Sequence, residues 1–150
     1  MSRRVNHYRN ILSEESTGFR MLETGAMIRF RYSKPGVTDR NPLCLYLWRD
    51  RKLQIVHTIN LNYLYESRVE KLYREIQKML PLQNKQAKNQ DEEFTDVGFS
   101  RSGPNSARAL YERVLKPKIL LDDDCYRTYK QSKMKDIRLV KYNFKTVKGM

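Results

Sequence analysis

The sequence has little with which to do covalent or metal chemistry. Its only histidines are His7 and His57, and its two cysteines, Cys44 and Cys125, lack CxxC spacing, so neither a zinc knuckle nor a disulfide framework is indicated. A Walker-type GxxxxGK, a GxGxxG after a strand and an HExxH are all missing, which leaves nucleotide hydrolysis and zinc proteolysis unsupported. No apolar run approaches the ~18–20 residues of a membrane span. The start MSRRVNHYRN lacks the apolar stretch and small-residue cleavage site of a signal peptide. The expectation is therefore a protein made in the cytosol, with no membrane, no cofactor, no metal and no small-molecule substrate.

Acidic residues are the other shortage. Against 30 Lys and Arg stand 17 Asp and Glu in 150 residues, a formal charge of +13. Ten Tyr and five Phe make the chain too aromatic for a disordered basic tail, and a 39% hydrophobic share is enough for one core. The excess charge is uneven: residues 1–52 carry a net +6, 53–115 a net +1 and 116–150 a net +6. If the two ends fold together they form one basic surface.

Periodicity divides the chain. Ala26 to Tyr32 alternates, with Ile28, Phe30 and Tyr32 on one side and Arg29 and Arg31 on the other, the period-2 signature of a strand with one wet face. Leu43 to Trp48 is apolar on both faces and reads as a central strand. The charged turn Arg49, Asp50, Arg51, Lys52 then leads to a strand from Leu53 to Ile59, completing a hairpin. A helix is predicted next, with Ser67 and Glu70 as a capping box, an apolar face of Val69, Leu72, Tyr73, Ile76, Met79 and Leu80, and Pro81 as its stop. Residues 83–93 are almost wholly polar. A second helix is expected from Asn105 or Ser106 to Pro117, with Ala109, Leu110 and Val114 inward. A short third one is expected over Cys125 to Met134, capped by Asp122, Asp123 and Asp124. Ile137 to Phe144 reads as a last strand that returns to the sheet begun by Ile28.

The fold class expected is thus α+β, a small antiparallel, barrel-like (SH3-like) sheet with two or three helices. The chain is read as a single domain: an N-terminal basic arm (1–25), the hairpin core and helix (26–80), a polar excursion or linker (81–105), and helices with the last strand returning to the core (106–150).

Candidate chemistry reduces to binding. His57 sits in a strand and reads as structural, His7 in a basic segment reads as a surface residue, and both cysteines read as small apolar residues. Asp39, Asp50 and Lys52 loosely follow the Asp…Asp/Glu-x-Lys pattern by which some nucleases hold Mg²⁺, but Asp50 and Lys52 fall in the expected turn. Asn60 and Asn62 flank Leu61 and suit a turn after the third strand. The residues expected to meet nucleic acid or a partner are Arg29, Arg31, Arg49, Arg51, Lys52, Arg127, Lys130, Lys133, Lys135, Arg138 and Lys141. Those near the C-terminus are interleaved with Tyr126, Tyr129 and Tyr142, and cations beside aromatic rings are what phosphates and unstacked bases require.

Four stretches carry a family likeness. The order Gly25-Ala-Met-Ile-Arg-Phe-Arg-Tyr, then Asp39-Arg-Asn-Pro-Leu-Cys-Leu-Tyr-Leu, then Ile59-Asn-Leu-Asn-Tyr-Leu64 resembles a group of small proteins of large contractile-tailed bacteriophages. There an F-x-Y strand is followed by a D-x-x-P-L strand and a G-L-N-x-x-Y-L-like segment. Cys125-Tyr-Arg-Thr-Tyr-Lys resembles a Y-x-x-Y/F-K segment late in that group. The likeness covers about half of the chain and implies a phage protein with a small barrel-like sheet, sometimes linked to DNA ends or virion assembly. The function expected is a non-enzymatic structural or assembly component of a tailed-phage virion, in the baseplate or neck, clasping other phage structural proteins. The virion is then its location, with the host cytoplasm during assembly. The alternative is a DNA-binding phage protein in packaging, end protection, replication or transcription, and a metal-dependent nuclease is a distant third.

Overall fold

The computed structural model describes residues 7, 10–33, 40–65, 67–78, 106–119 and 125–143. Its centre is a six-stranded antiparallel sheet: β1 (Ile11–Ser16), β2 (Met27–Tyr32), β3 (Leu43–Asp50), β4 (Ile55–Asn60), β5 (Tyr126–Lys130) and β6 (Met134–Tyr142). The order is β1-β6-β2-β3-β4-β5, so the sheet is open, with β1 and β5 at its edges. Helix α1 covers residues 67–78, and helix α2 runs from Ala107 to Ile119 with a π-helical turn at Tyr111–Leu115.

Two apolar clusters explain why the strands read as they do. Ile28, Phe30 and Tyr32 from β2 meet Cys44, Tyr46, Val56, Tyr129, Met134 and Ile137 on one face, closed by Leu22. Leu43, Leu45, Leu47 and Ile59 leave the other face, where Val69, Leu72 and Ile76 of α1 and Tyr111 and Leu115 of α2 cover them. Strand β3 lies between the two clusters, which is why both its faces are apolar. The sheet curls strongly. Tyr32 and Tyr129 lie three strands apart, about 14 Å in a flat sheet, yet their rings are 4.9 Å apart and the Lys130 amide donates to the Tyr32 hydroxyl at 3.2 Å.

The returning strand is found: Ile28 pairs with Leu139 and Tyr32 with Met134. Four expectations are corrected. The segment expected as a third helix is β5 followed by a 3₁₀ turn at Gln131–Lys133. The three-residue step from Tyr126 to Tyr129 imitates a helical face, but in a strand it sends the rings to opposite faces, one into each cluster. Within the stretch expected as an arm, Ile11–Ser16 forms β1 against β6; its pattern, mostly exposed, carries no alternation to reveal it. Helix α2 continues through Pro117. The widened π turn just before it has already interrupted the regular ladder, so a missing N–H is tolerated there. The Val69 amide donates to the Tyr65 carbonyl at 3.0 Å, so Ser67 is already inside α1, and Glu70 pairs with Arg74 at 2.8 Å instead of reaching back as a capping box. The expected end of α1 at Pro81, the 81–105 excursion, Asp39 and Asp122 to Asp124 lie outside the described residues.

Candidate anion-binding interface

The outward side of β2 and β6 gathers four of the expected cations. Arg29 stands opposite Arg138, and Arg31 opposite Lys135. Arg29 and Arg31 are two residues apart, whereas Lys135 and Arg138 are three apart. The register shifts between the two pairs, and Asp136 takes up the extra residue with φ at 55°, a left-handed conformation that Asp tolerates better than most residues.

The two pairs have different electrostatics. Glu14 of β1 sits between Arg29 and Arg138, 3.3 Å from each guanidinium, and Asp136 lies 3.8 Å from Arg138. That carboxylate ties edge strand β1 to the two strands beyond it. Arg31 and Lys135 are exposed, and no carboxylate among the described residues pairs with either. Like charges directly opposite in a sheet are destabilising.

Backbone hydrogen bonds bring further cations to this end. The Tyr32 amide donates to the Arg40 carbonyl at 2.8 Å, and the Ser33 amide reaches the Lys133 carbonyl at 3.5 Å. The Gln131 amide donates to the Gln54 carbonyl at 2.9 Å, so the 3₁₀ turn also holds the tip of the β3–β4 hairpin, with Lys52 on it. Arg31, Arg40, Lys133 and Lys135, with Lys130 and Lys52 beside them, thus rim one end of the curled sheet. No protein-family model, curated protein or solved structure matches the chain.

The remaining expected residues lie elsewhere. Arg49 packs over the Phe19 ring at 5.3 Å, Arg127 over Tyr63 at 5.7 Å, and Lys141 lines a cleft of about 430 Å³ with Ser13, Glu15, Tyr73 and Tyr142. Arg51 is exposed at the hairpin tip. Of the tyrosines in the expected nucleic-acid signature, Tyr126 and Tyr129 are buried and offer no stacking face, whereas Tyr142 is half-buried at the cleft with its hydroxyl bonded to His7 and Asn10.

The groups considered for catalysis have structural partners. His7 is fully buried, not a surface residue. Its Nε2 faces the carbonyls of Leu61 and Leu64 at 2.9 and 2.6 Å and must donate; Nδ1 then accepts from Tyr142 at 3.1 Å. His57 packs on Trp48 and shares a 2.6 Å hydrogen bond between Nδ1 and the Tyr126 hydroxyl. Burial lowers the His57 pKa against a smaller opposing pull from Asp50. Burial likewise raises that of Tyr126, with Arg108 over its ring opposing. Asp50 accepts from the Leu53 amide at 3.1 Å and closes the hairpin turn. Asn60 caps the turn after β4 by accepting from the Asn62 amide at 2.9 Å, and its amide donates to the Tyr129 hydroxyl at 3.2 Å. Both cysteines are buried thiols outside any disulfide, and no cluster of three His, Cys, Asp or Glu occurs among the described residues.

Two residues of the interface escape sequence reasoning. Glu14 lies in a strand with no alternation, and Arg40 belongs to the loop before β3. Only the sheet pairing brings them beside β2.

Proposed function

We propose that this protein is a non-catalytic assembly component of a tailed-phage particle, a curled SH3-like sheet that clasps its neighbours through charged surface in the baseplate or neck. The order β6-β2-β3-β4-β5, in which a meander ends in one 3₁₀ turn and the last strand pairs back with the first, supports the SH3-like reading. The phage reading rests on the resemblance. Four of its residues, Phe30, Leu43, Asn60 and Leu61, are buried in this framework. The observation that carries a binding role is the rim of cations without carboxylate partners among the described residues, on a surface whose neighbouring arginines are neutralised.

Mass spectrometry of purified particles tests it. The protein should be found at stoichiometric copy number, and its absence from the particle overturns the structural role. The same rim favours a second reading, a DNA-binding phage protein, because cations held in an exposed row are what a phosphate backbone attracts.

A further inference from the structure

We infer that the end of the sheet formed by Arg31, Arg40, Lys133 and Lys135 is a docking site for the phosphate backbone of duplex DNA, bound without sequence preference. The inference deepens the second reading above and rests on it. It also divides the basic residues of the sheet into two sets. Arg29 and Arg138 hold the edge strand through Glu14, and the four others take phosphate.

Three observations carry the division. First, cross-strand register sets Arg31 directly against Lys135, and backbone bonds to Tyr32 and Ser33 bring Arg40 and Lys133 to the same corner. Second, none of the four has an ion-pair partner among the described residues, while the next pair along the same strands shares Glu14 at 3.3 Å. An arrangement that repels itself is relieved by an external anion. Third, the rings nearest this corner, Phe30, Tyr32 and Tyr129, are buried against one another at 4.9–6.4 Å. With no exposed ring at this corner among the described residues to take an unstacked base, the corner reads backbone charge, which a paired duplex displays along its whole length. An acidic protein would meet the same charge, but among the described residues the loops that meet here expose one large apolar side chain, Leu53, which is too little for the buried centre that a protein interface needs.

The test is a fluorescence-anisotropy titration of a labelled random-sequence duplex with the full chain, repeated between 50 and 200 mM salt. Four phosphate contacts contribute about 3.6 to the slope of log K against log salt, so affinity should fall by at least about 10²-fold across that range. R31Q/K135Q and R40Q/K133Q should each lower the slope by about 2, and the quadruple variant by about 3–4. K71Q/K78Q, which removes two exposed lysines from α1, should leave the slope within about half a unit of the wild-type slope. Thermal melts check that each variant is folded, and the exposure of the substituted side chains keeps them so. If wild type binds duplex but the quadruple variant keeps its slope, or the α1 variant loses as much, the site is overturned while the DNA-binding reading stands. No duplex binding at 50 mM salt overturns both, and capture of an acidic protein by the same corner would then be the role left to it.

Discussion

Replacing Lys135 by glutamate separates what the fold wants from what a ligand wants. The substitution turns the Arg31–Lys135 cation pair into an ion pair and touches no buried atom, since both side chains are exposed. Opposed Cβ atoms lie about 4.5–5.5 Å apart, and a cross-strand charge pair is worth about 0.2–1 kcal/mol in either direction. Exposed pairs fall toward the lower part of that range. Removing a repulsion and adding an attraction therefore gives a swing of about 0.5–1.5 kcal/mol. For a chain of this length 1 kcal/mol moves Tm by roughly 2–4 °C, so K135E should melt about 1–6 °C above wild type at low salt, with K135Q between them. In 1 M salt the screening length shrinks to about 3 Å and the gain should vanish. The formal charge falls from +13 to +11, and duplex affinity should fall with it. Circular-dichroism melts at two salt concentrations read the first effect and anisotropy the second. A K135E protein that melts below wild type at low salt, or whose gain survives 1 M salt, would show that the pair is not held in repulsion.

Three other substitutions probe the framework. Glu14→Gln leaves Arg29 and Arg138 facing each other without their shared anion and should cost about 1–2 kcal/mol, read as a drop in Tm and as faster amide exchange confined to Ile11–Ser16; unchanged exchange there would remove Glu14 as the tie. Burial lowers the His57 pKa below its unfolded value of 6.5, so the unfolded chain takes up the proton first. Stability is therefore full above that pH and falls as pH drops from 6.5 toward the folded pKa. Urea midpoints should show this loss in wild type and less of it in His57→Gln, and equal slopes would exclude His57 as its source. Asn60→Ala removes the cap of the turn after β4 and a buried bond to Tyr129, with an expected loss of about 1–3 kcal/mol in urea unfolding; a loss below about 0.5 kcal/mol would mean that the turn holds without its cap.

Strand β2 was legible because one face is buried and the other wet, so its alternation Ile28, Phe30, Tyr32 against Arg29 and Arg31 appears directly in the sequence. Strand β3 was legible for the opposite reason, since two clusters bury both its faces. The hairpin and the return of β6 to β2 follow from the same patterns. Strands β1 and β5 were hidden because edge strands need not alternate. Ile11–Ser16 is mostly exposed, and Tyr126 and Tyr129 serve different clusters at a step that looks helical. The interface was half legible. Its cations are visible as residues, but the register that opposes Arg31 to Lys135 depends on a one-residue bulge at Asp136, and Arg40 joins them through a hydrogen bond to Tyr32.

The scarcity of acids acquires a local meaning from these placements. Three carboxylates beside cations of the sheet already have tasks: Glu14 joins Arg29 to Arg138, Asp136 faces Arg138, and Asp50 closes the hairpin. A single change at position 135 would extend the same neutralisation to Arg31 at no packing cost. Keeping lysine there sets local stability against the fold, and such conflicts between levels belong to positions that serve something outside it. Net charge alone cannot make that distinction, because it counts Arg29 and Arg31 alike, although one is a strut of the sheet and the other is open to an anion. The decisive comparison is therefore between R29Q and R31Q. The first should lower Tm and weaken protection of β1, whereas the second should leave Tm level or slightly raised and lower the DNA salt slope by about 0.9. Equal behaviour of the two variants in both assays would return the basic surface to an undivided charge.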